Sequence, residues 1–442
     1  MEANSPQPLW SLVPASGRAR YLRRAATAIL DELDPLADAL ADTVGQPRTE
    51  SVLAELLPSV GGLHDLADDG PRALRDRRLG RIPALRAGRR SVLVSAPLGV
   101  VGVRGGRASP WAGPVLETGA ALLAGNAVVL SAPLGERVRA AFQRGGVPPE
   151  LIALAGPQED LTARCAAVID TRPPQRKGTM LVLDGAPLER AVTGALWAAF
   201  AGGGRHRAAV GRLVVVPSVA EPLLRGLVAG AERLHPGDPR RRDTEIGPLR
   251  SAETRARVEE LVGDAVAAGA VLLCGGPLEV PDVEGAFYAP AVLRGVKPGA
   301  RILGEPVPGP VLAVVEPETE EEAIALAKGG PAVSVWAGDR GRGERVAREL
   351  EADVAWVNEH GHSIPDAALR LAGHVEPRRL ASQPTRLHSA RWLPYDPQLV
   401  RAATASARLM HGREAERLRV LRTGAVPLVR TAIRLAREAL DR

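Results

Sequence analysis

The chain has 442 residues, with 57 Lys and Arg against 51 Asp and Glu, a net charge of +6 and 45% hydrophobic residues. That length supports two or three domains with sizeable cores, and aromatics at 3% leave those cores mainly to Leu, Val and Ala. From Arg391 onward eleven arginines meet five acids, so the tail carries the whole excess and the first 390 residues balance, which argues against a nucleic-acid-binding core.

Lysine is scarce, with only Lys177, Lys297 and Lys328. The two cysteines, Cys165 and Cys274, form no metal or disulfide pattern. No secretory leader opens the chain and no apolar run reaches membrane-spanning length, so a reducing cytoplasm is the expected location.

In chain order, residues 18–44 carry Leu22, Ala26, Ile29, Leu33, Leu36, Leu40 and Val44 at three- and four-residue steps, which predicts one helical stretch that Pro35 kinks or splits. A second helix is predicted over 50–66, capped by Thr49 and bent at Pro58. Residues 70–90, rich in Gly, Arg and Pro, read as loop or arm. A strand at 91–95 and a continuous apolar strand at 99–103 follow. The second is the kind that a parallel sheet buries on both faces.

Helix, strand, helix and strand are then predicted over 114–124, 127–130, 137–144 and 152–155. A second alternating series has strands at 180–183, 213–216, 271–274, 311–315, 333–337 and 353–358. Its helices are at 187–200, 220–234, 253–268, 320–327 and 344–351. The alternation predicts a doubly wound α/β chain.

Between the helix at 187–200 and the strand at 213–216 lies Phe-Ala-Gly-Gly-Gly-Arg-His-Arg, residues 200–207. A glycine triplet there lets backbone approach backbone or a ligand closely. The stretch has the shape of a reactive loop, yet it holds no thiol, hydroxyl or carboxylate.

The motifs taken together resemble the aldehyde dehydrogenase superfamily. Pro97-Leu-Gly-Val-Val-Gly-Val103, Ser109-Pro-Trp111 and Leu123-Ala-Gly-Asn-Ala-Val-Val-Leu130 follow the cofactor-domain signature of that family in order. Gly146-Val-Pro-Pro149, Val182-Leu-Asp184, Glu189-Arg-Ala-Val192, Gly237-Asp-Pro239, Ile246-Gly-Pro-Leu249, Gly309-Pro-Val311 and Trp356-Val-Asn358 continue it. The resemblance spans roughly residues 20–380. It implies a Rossmann-like cofactor domain over 1–178 with an arm near 80–97, and an α/β catalytic-type domain over 179–390. Residues 391–442 lie beyond it as a basic helical tail.

The resemblance also implies a reaction: a thiolate attacks an aldehyde, hydride passes to NAD or NADP, and water releases the acid. At the position of that thiol this chain has Arg207, which cannot be a nucleophile. The oxyanion-binding Asn position holds Ala112, a loss that typically costs about 10²–10³ in rate. The general-base Glu position falls near Pro173, and a prolyl ring takes no proton.

The cofactor contacts are missing as well: Ser131 stands for the ribose-binding Lys, and Pro306 and Pro308 for the Glu and Phe at the nicotinamide. Asp170-Thr-Arg172 keeps only a trace of the pyrophosphate turn. A whole helix and strand of the family are absent between Thr171 and Met180, so the cofactor sheet is expected to be truncated.

These losses favour a catalytically silent family member with no cofactor, and NAD or NADP only if it is active. The alternative is an active enzyme with a rebuilt site, which would need Cys165 or Cys274 in the cleft. The bland reading makes both cysteines small buried hydrophobes.

Arg104, Trp111, Gly204, Arg205, His206 and Arg207 are the ligand-binding candidates, their cations suited to an anionic small molecule. The bland reading has those arginines paired with local acids in an emptied site. His360 and His362, followed by Asp366, read as solvated loop histidines before a metal site.

In the tail, two basic amphipathic segments run over 399–421 and 427–440. They read as helices packed on their own or a neighbouring subunit, or as an interfacial helix on an anionic membrane or acidic partner. A homodimer, or a hetero-oligomer with an active paralogue, is the expected assembly.

Overall fold

Runs of Val, Ala and Leu without a polar face can only be strands covered on both sides, and the computed structural model places them so. It describes residues 7–78, 90–172, 177–205, 209–361 and 367–382, with isolated positions between 404 and 421. The strands are β1 (Arg77–Arg78), β2 (Arg90–Pro97), β3 (Val100–Arg104), β4 (Ala127–Ser131), β5 (Ile152–Leu154), β6 (Ala167–Asp170) and β7 (Gly178–Val182). They continue with β8 (Val210–Val215), β9 (Val271–Leu278), β10 (Phe287–Arg294), β11 (Val311–Val315), β12 (Val333–Trp336), β13 (Ala355–Val357) and β14 (Val375–Ser382).

Residues Met1–Ala73 and Pro97–Val375 form one compact unit, and Leu74–Ala96 with Glu376–Arg442 a second. The first unit holds two sheets. One is a parallel four-stranded sheet in the order β5-β4-β3-β6. The other has seven strands in the order β13-β12-β7-β8-β11-β10-β9, parallel except for the β10–β9 pair. The second unit contains a three-stranded sheet, β1-β2-β14. Most of the predicted tail over 399–440 and the arm residues 80–89 lie outside the described residues.

The first predicted helix is two, Ala15–Leu30 and Leu33–Val44. Pro35 sits in the first turn of the second, where its missing N–H had no partner to lose. Thr49 does not cap the next helix. The chain turns helical at Arg48 after Pro47, and the Thr49 hydroxyl donates to the Arg242 carbonyl. That helix runs on to Ala73 through a π-helical turn at Ser51–Leu56. The π turn ends two residues before Pro58, whose ring would crowd the carbonyl four residues back, that of Ala54, in an α-helix.

Four strands escaped the sequence pattern: β1, which falls in the stretch read as loop or arm, β6, β10 and β14. β6 has only four residues. β10 carries Pro290 inside it, which argues against a strand, but the register between β9 and β10 shifts between Ala289 and Val292, a bulge that accommodates the proline. The truncation expected from the sequence is visible: between β6 and β7 only residues 171–177 remain.

The helix bearing Leu63 packs on Ala112–Ala124, where a Cβ at Gly119 would lie 2.6 Å from a Leu63 methyl. Leu63 is fully buried. Leu63→Ala is expected to lower unfolding free energy by about 2–5 kcal/mol, read as a reduced denaturant midpoint at unchanged slope.

Candidate active site

The helix Leu188–Phe200 ends at the glycine triplet, and the reason for three glycines is explicit. Gly202, Gly203 and Gly204 have φ of 62°, 60° and 70°, a left-handed run that side-chain-bearing residues rarely adopt. A Cβ on Gly204 would meet the Gly309 carbonyl oxygen at 2.3 Å. The same oxygen accepts a hydrogen bond from Lys177 Nζ at 2.7 Å. The loop preceding β8, the residue preceding β7 and the Gly309-Pro310 turn preceding β11 therefore converge on one backbone atom.

Arg205 follows the glycines. Its Nε donates to the Gly202 carbonyl at 2.9 Å. Burial lowers its pKa, Glu50 opposes that, and the charge of Arg107 adds to it. Glu50 accepts the Gly202 backbone N–H, and Gln46 Nε2 donates to Glu50 Oε1 at 2.9 Å. Burial raises the Glu50 carboxyl above its usual range, against the pull of Gly202, Gln46 and Arg205.

Five residues further, across the π turn, lies Glu55, which is 1% exposed. Its Oε2 accepts the backbone N–H of Trp111 at 3.1 Å and of Ala112 at 2.6 Å. These are unpaired donors at the start of the helix Ala112–Ala124. Burial, assisted by the charge of Glu50, pushes the Glu55 carboxyl up to about 8, while the two N–H groups hold it back. Lys177 keeps part of its surface exposed, yet it is enclosed closely enough that desolvation, aided by Arg205, brings its amine down to about 7.

The residues singled out from the sequence fare differently. Gly204 and Arg205 are at this cluster. His206, Arg207 and Pro173 lie outside the described residues, as do His362 and Asp366. Trp111 is fully buried, its indole N–H bonded to Ser59 Oγ at 3.0 Å, so it offers no open face to a ligand. Arg104 is turned away, its Nη2 donating to the Glu159 carbonyl at 2.8 Å, and the charge that reaches Arg205 is that of Arg107. Ala112 contributes only its backbone N–H, which Glu55 takes. Ser131 Oγ donates to the Gly156 carbonyl at 3.0 Å, and Pro306 is exposed beside the half-buried Pro308.

His360 corrects the expectation of a solvated loop histidine. It is buried, with its ring centroid 4.7 Å from that of Trp356 and 6.1 Å from that of Trp197. Among the described residues no group of three His, Cys, Asp or Glu could hold a metal, and no helix is long and apolar enough to cross a membrane.

Neither sulfur reaches the glycine loop. Cys274 is on the edge strand β9 with β10 and β11 between it and β8, ~14 Å across the sheet at the usual spacing of strands. Its thiol points to the Pro290 carbonyl at 3.7 Å. Cys165 precedes β6, and its sulfur lies 3.2 Å from where a Gly102 Cβ would be, at mid-strand. The Ala112 end of that sheet is where β6 leaves, since Thr171 packs on Gly113. Burial raises both thiols. Both behave as the small, partly buried hydrophobes of the bland reading, ill suited to forming a thiolate.

A cleft of about 770 Å³ borders the cluster, lined among others by Gly45, Arg107, Pro248, Arg250 and Ser251. Acids line it too: Asp42 is held by Arg240 and Glu279 by Arg255, Asp238 accepts the Arg240 backbone N–H, and Asp282 and Glu284 are exposed. Arg107 and Arg250 have no acidic partner among the described residues. Burial and the neighbouring Arg250 lower the Arg107 pKa.

Comparison with known proteins places this architecture. The Aldehyde dehydrogenase family profile matches residues 1–166 and 177–374, and the chain belongs to that family. The break at 167–176 falls on β6 and the short connection to β7. The 4,4'-diapolycopene aldehyde oxidase of Methylomonas sp is 30% identical over 406 residues, 83% of this chain and 74% of that protein. The 2-hydroxymuconic semialdehyde dehydrogenase of Pseudomonas sp. (strain CF600) is 28% identical over 393 residues, 79% and 80% of the two chains.

Among solved structures, an indole-3-acetaldehyde dehydrogenase complexed with NAD+ superposes with a TM-score of 0.79 at 21% identity, covering 86% of each chain. An NAD-dependent benzaldehyde dehydrogenase from Corynebacterium glutamicum gives 0.74 at 20%, covering 85% and 87%. These two likenesses carry the fold.

The buried carboxyl makes a prediction with a definite sign. Glu55 titrates near 4.5 when exposed and near 8 when folded, so the native state binds the extra proton between those values and stability falls as pH rises through that window. Glu50 is shifted the same way. Lys177 acts oppositely, adding stability as pH rises from about 7 to 10.5. Glu55→Gln mimics the protonated acid, and its melting temperature should fall less steeply than that of the wild type between about pH 5 and 8. An unchanged slope would dismiss Glu55 as a source.

Gly204→Ala adds both a disfavoured φ and the 2.3 Å clash with Gly309. It should cost at least ~1 kcal/mol in a denaturant titration.

Proposed function

We propose that this aldehyde dehydrogenase family member does not oxidise aldehydes through a thioester, and that its cleft holds an anionic small molecule. The observation that carries the reading is the absence of a usable thiol. By the family resemblance Arg207 falls at the nucleophile position, while Cys274 lies on β9 and Cys165 just before β6. Further support comes from Glu55, whose oxygen occupies the Ala112 N–H at the start of the helix where the family holds its oxyanion. A carboxyl there repels developing negative charge when ionised, whereas an oxyanion site needs free donors.

The dinucleotide contacts that the family uses are not reproduced. The Ser131 hydroxyl is engaged with Gly156. The seven-residue passage from β6 to β7 has no room for the helix whose N-terminus would face a pyrophosphate. These residues do not fit NAD or NADP held in the family manner, and no step is derived through it.

For an anion, Arg107 and Arg250 lie on the cleft with no acidic partner among the described residues, and the charge of Arg107 reaches Arg205. Two guanidinium groups suit a carboxylate or phosphate. Assembly with a second copy or with an active relative completes the reading.

The experiment pairs two measurements. With benzaldehyde, succinic semialdehyde or indole-3-acetaldehyde and either NAD or NADP, no reduced cofactor should accumulate above the protein-free rate. Steady cofactor reduction that Cys165→Ala or Cys274→Ala abolishes would overturn the reading. Succinate or phosphate should raise the melting temperature in a saturable way, and Arg107→Ala should shrink that ligand-induced shift, measured against the variant's own ligand-free melting point.

A further inference from the structure

We propose that the Lys177 amine captures small aldehydes bearing a carboxylate as reversible imines, with the Arg205 guanidinium holding the carboxylate. The inference rests on the reading above only in leaving the aldehyde unoxidised, and the two fail separately, because a covalent adduct and a reduced cofactor are different readouts.

The argument begins with position. Lys177 immediately precedes β7, in the middle of the seven-stranded sheet, and its amine shares the Gly309 oxygen with the glycine loop that leads to the nucleophile position. The stem is packed: a Cβ at Gly211 would lie 2.9 Å from both Cβ and Cδ of Lys177. This holds the amine in place, in a residue that is half-buried as a whole.

No carboxylate pairs with Lys177 among the described residues; its neighbour in charge is Arg205. The depressed amine pKa follows from that setting, so a large share of the amine is unprotonated near neutrality and is nucleophilic. Lys297 and Lys328 are exposed and have no comparable environment.

Arg205 supplies the second half. Its Nε is committed to Gly202, and Nη2 lies 3.5 Å from the Pro248 carbonyl. Nη1 has no acceptor among the described residues. The Arg205 charge, opposed among the described residues by Glu50, favours an anionic aldehyde over a neutral one.

The chemistry balances without an oxidant. The amine nitrogen adds to the carbonyl carbon, the carbinolamine oxygen leaves as water with the two amine hydrogens, and a C=N bond replaces C=O. Hydrolysis returns the aldehyde unchanged.

The test uses the full chain with glyoxylate and cyanoborohydride at neutral pH, which reduces an imine to a stable carboxymethyl-lysine. Peptide mapping should find the adduct on Lys177 ahead of Lys297 and Lys328, with glyoxylate labelling faster than acetaldehyde. Lys177→Arg keeps the charge and a donor toward Gly309 and should reduce labelling at least about tenfold. Arg205→Gln should erase the preference for glyoxylate.

Adducts spread over the three lysines according to exposure, or unchanged labelling in Lys177→Arg, would overturn the amine site. Equal labelling by both aldehydes in the wild type would overturn the role of Arg205. If a variant fails to fold, the wild-type peptide map and aldehyde comparison decide alone.

Discussion

The carbonyl oxygen of Gly309 is approached from two sides, by the lysine that precedes β7 and by the glycine triplet that precedes β8. That approach is closer than any side chain on Gly204 permits, which is why the triplet is glycine and why the loop can curl left-handed over three residues. The alignment of three strand entrances depends on it. So does the position of Arg205, because Arg205 is held by a carbonyl of the same loop. Everything that distinguishes the site from a bare sheet edge is hung on this contact between main-chain atoms.

A second contact sets its electrostatics. Glu55 lies within a π-helical turn and satisfies the first donors of another helix. An α-helix would place Glu50 and Glu55 on different faces, whereas the wider π turn brings residues five apart toward one side. A buried carboxyl, Glu55, a half-buried one, Glu50, and two crowded cations result: Glu50 raises Glu55, while Arg205 lowers both Glu50 and Lys177. The Glu50–Arg205 attraction is the compensation that keeps the arrangement from being a set of isolated buried charges.

Much of this was legible in the chain and some was not. The motif order from Pro97 to Asn358 carried the fold, and the shortening between Thr171 and Met180 was readable as missing sequence. The glycines announced a close approach, though not its partner. Glu50 and Glu55 passed unnoticed, and Lys177 drew notice only as a scarce lysine, because each lies far along the chain from Arg205 and nothing in helical periodicity marks a π turn. Trp111 and Arg104 drew notice for their chemistry, but burial against Ser59 and a bond to Glu159 point them elsewhere. β10 was hidden by Pro290, whose compatibility with a strand depends on a bulge formed only with β9.

The brevity of the passage from β6 to β7 has a mechanical consequence. Seven residues separate the two strands, and at roughly 3.5 Å per extended residue they can pay out no more than about 25 Å. A helix and a strand in that place would add slack between the two sheets. Here the length of chain alone bounds how far the start of β7 can lie from the end of β6, and with it how far the two sheets can part at that point.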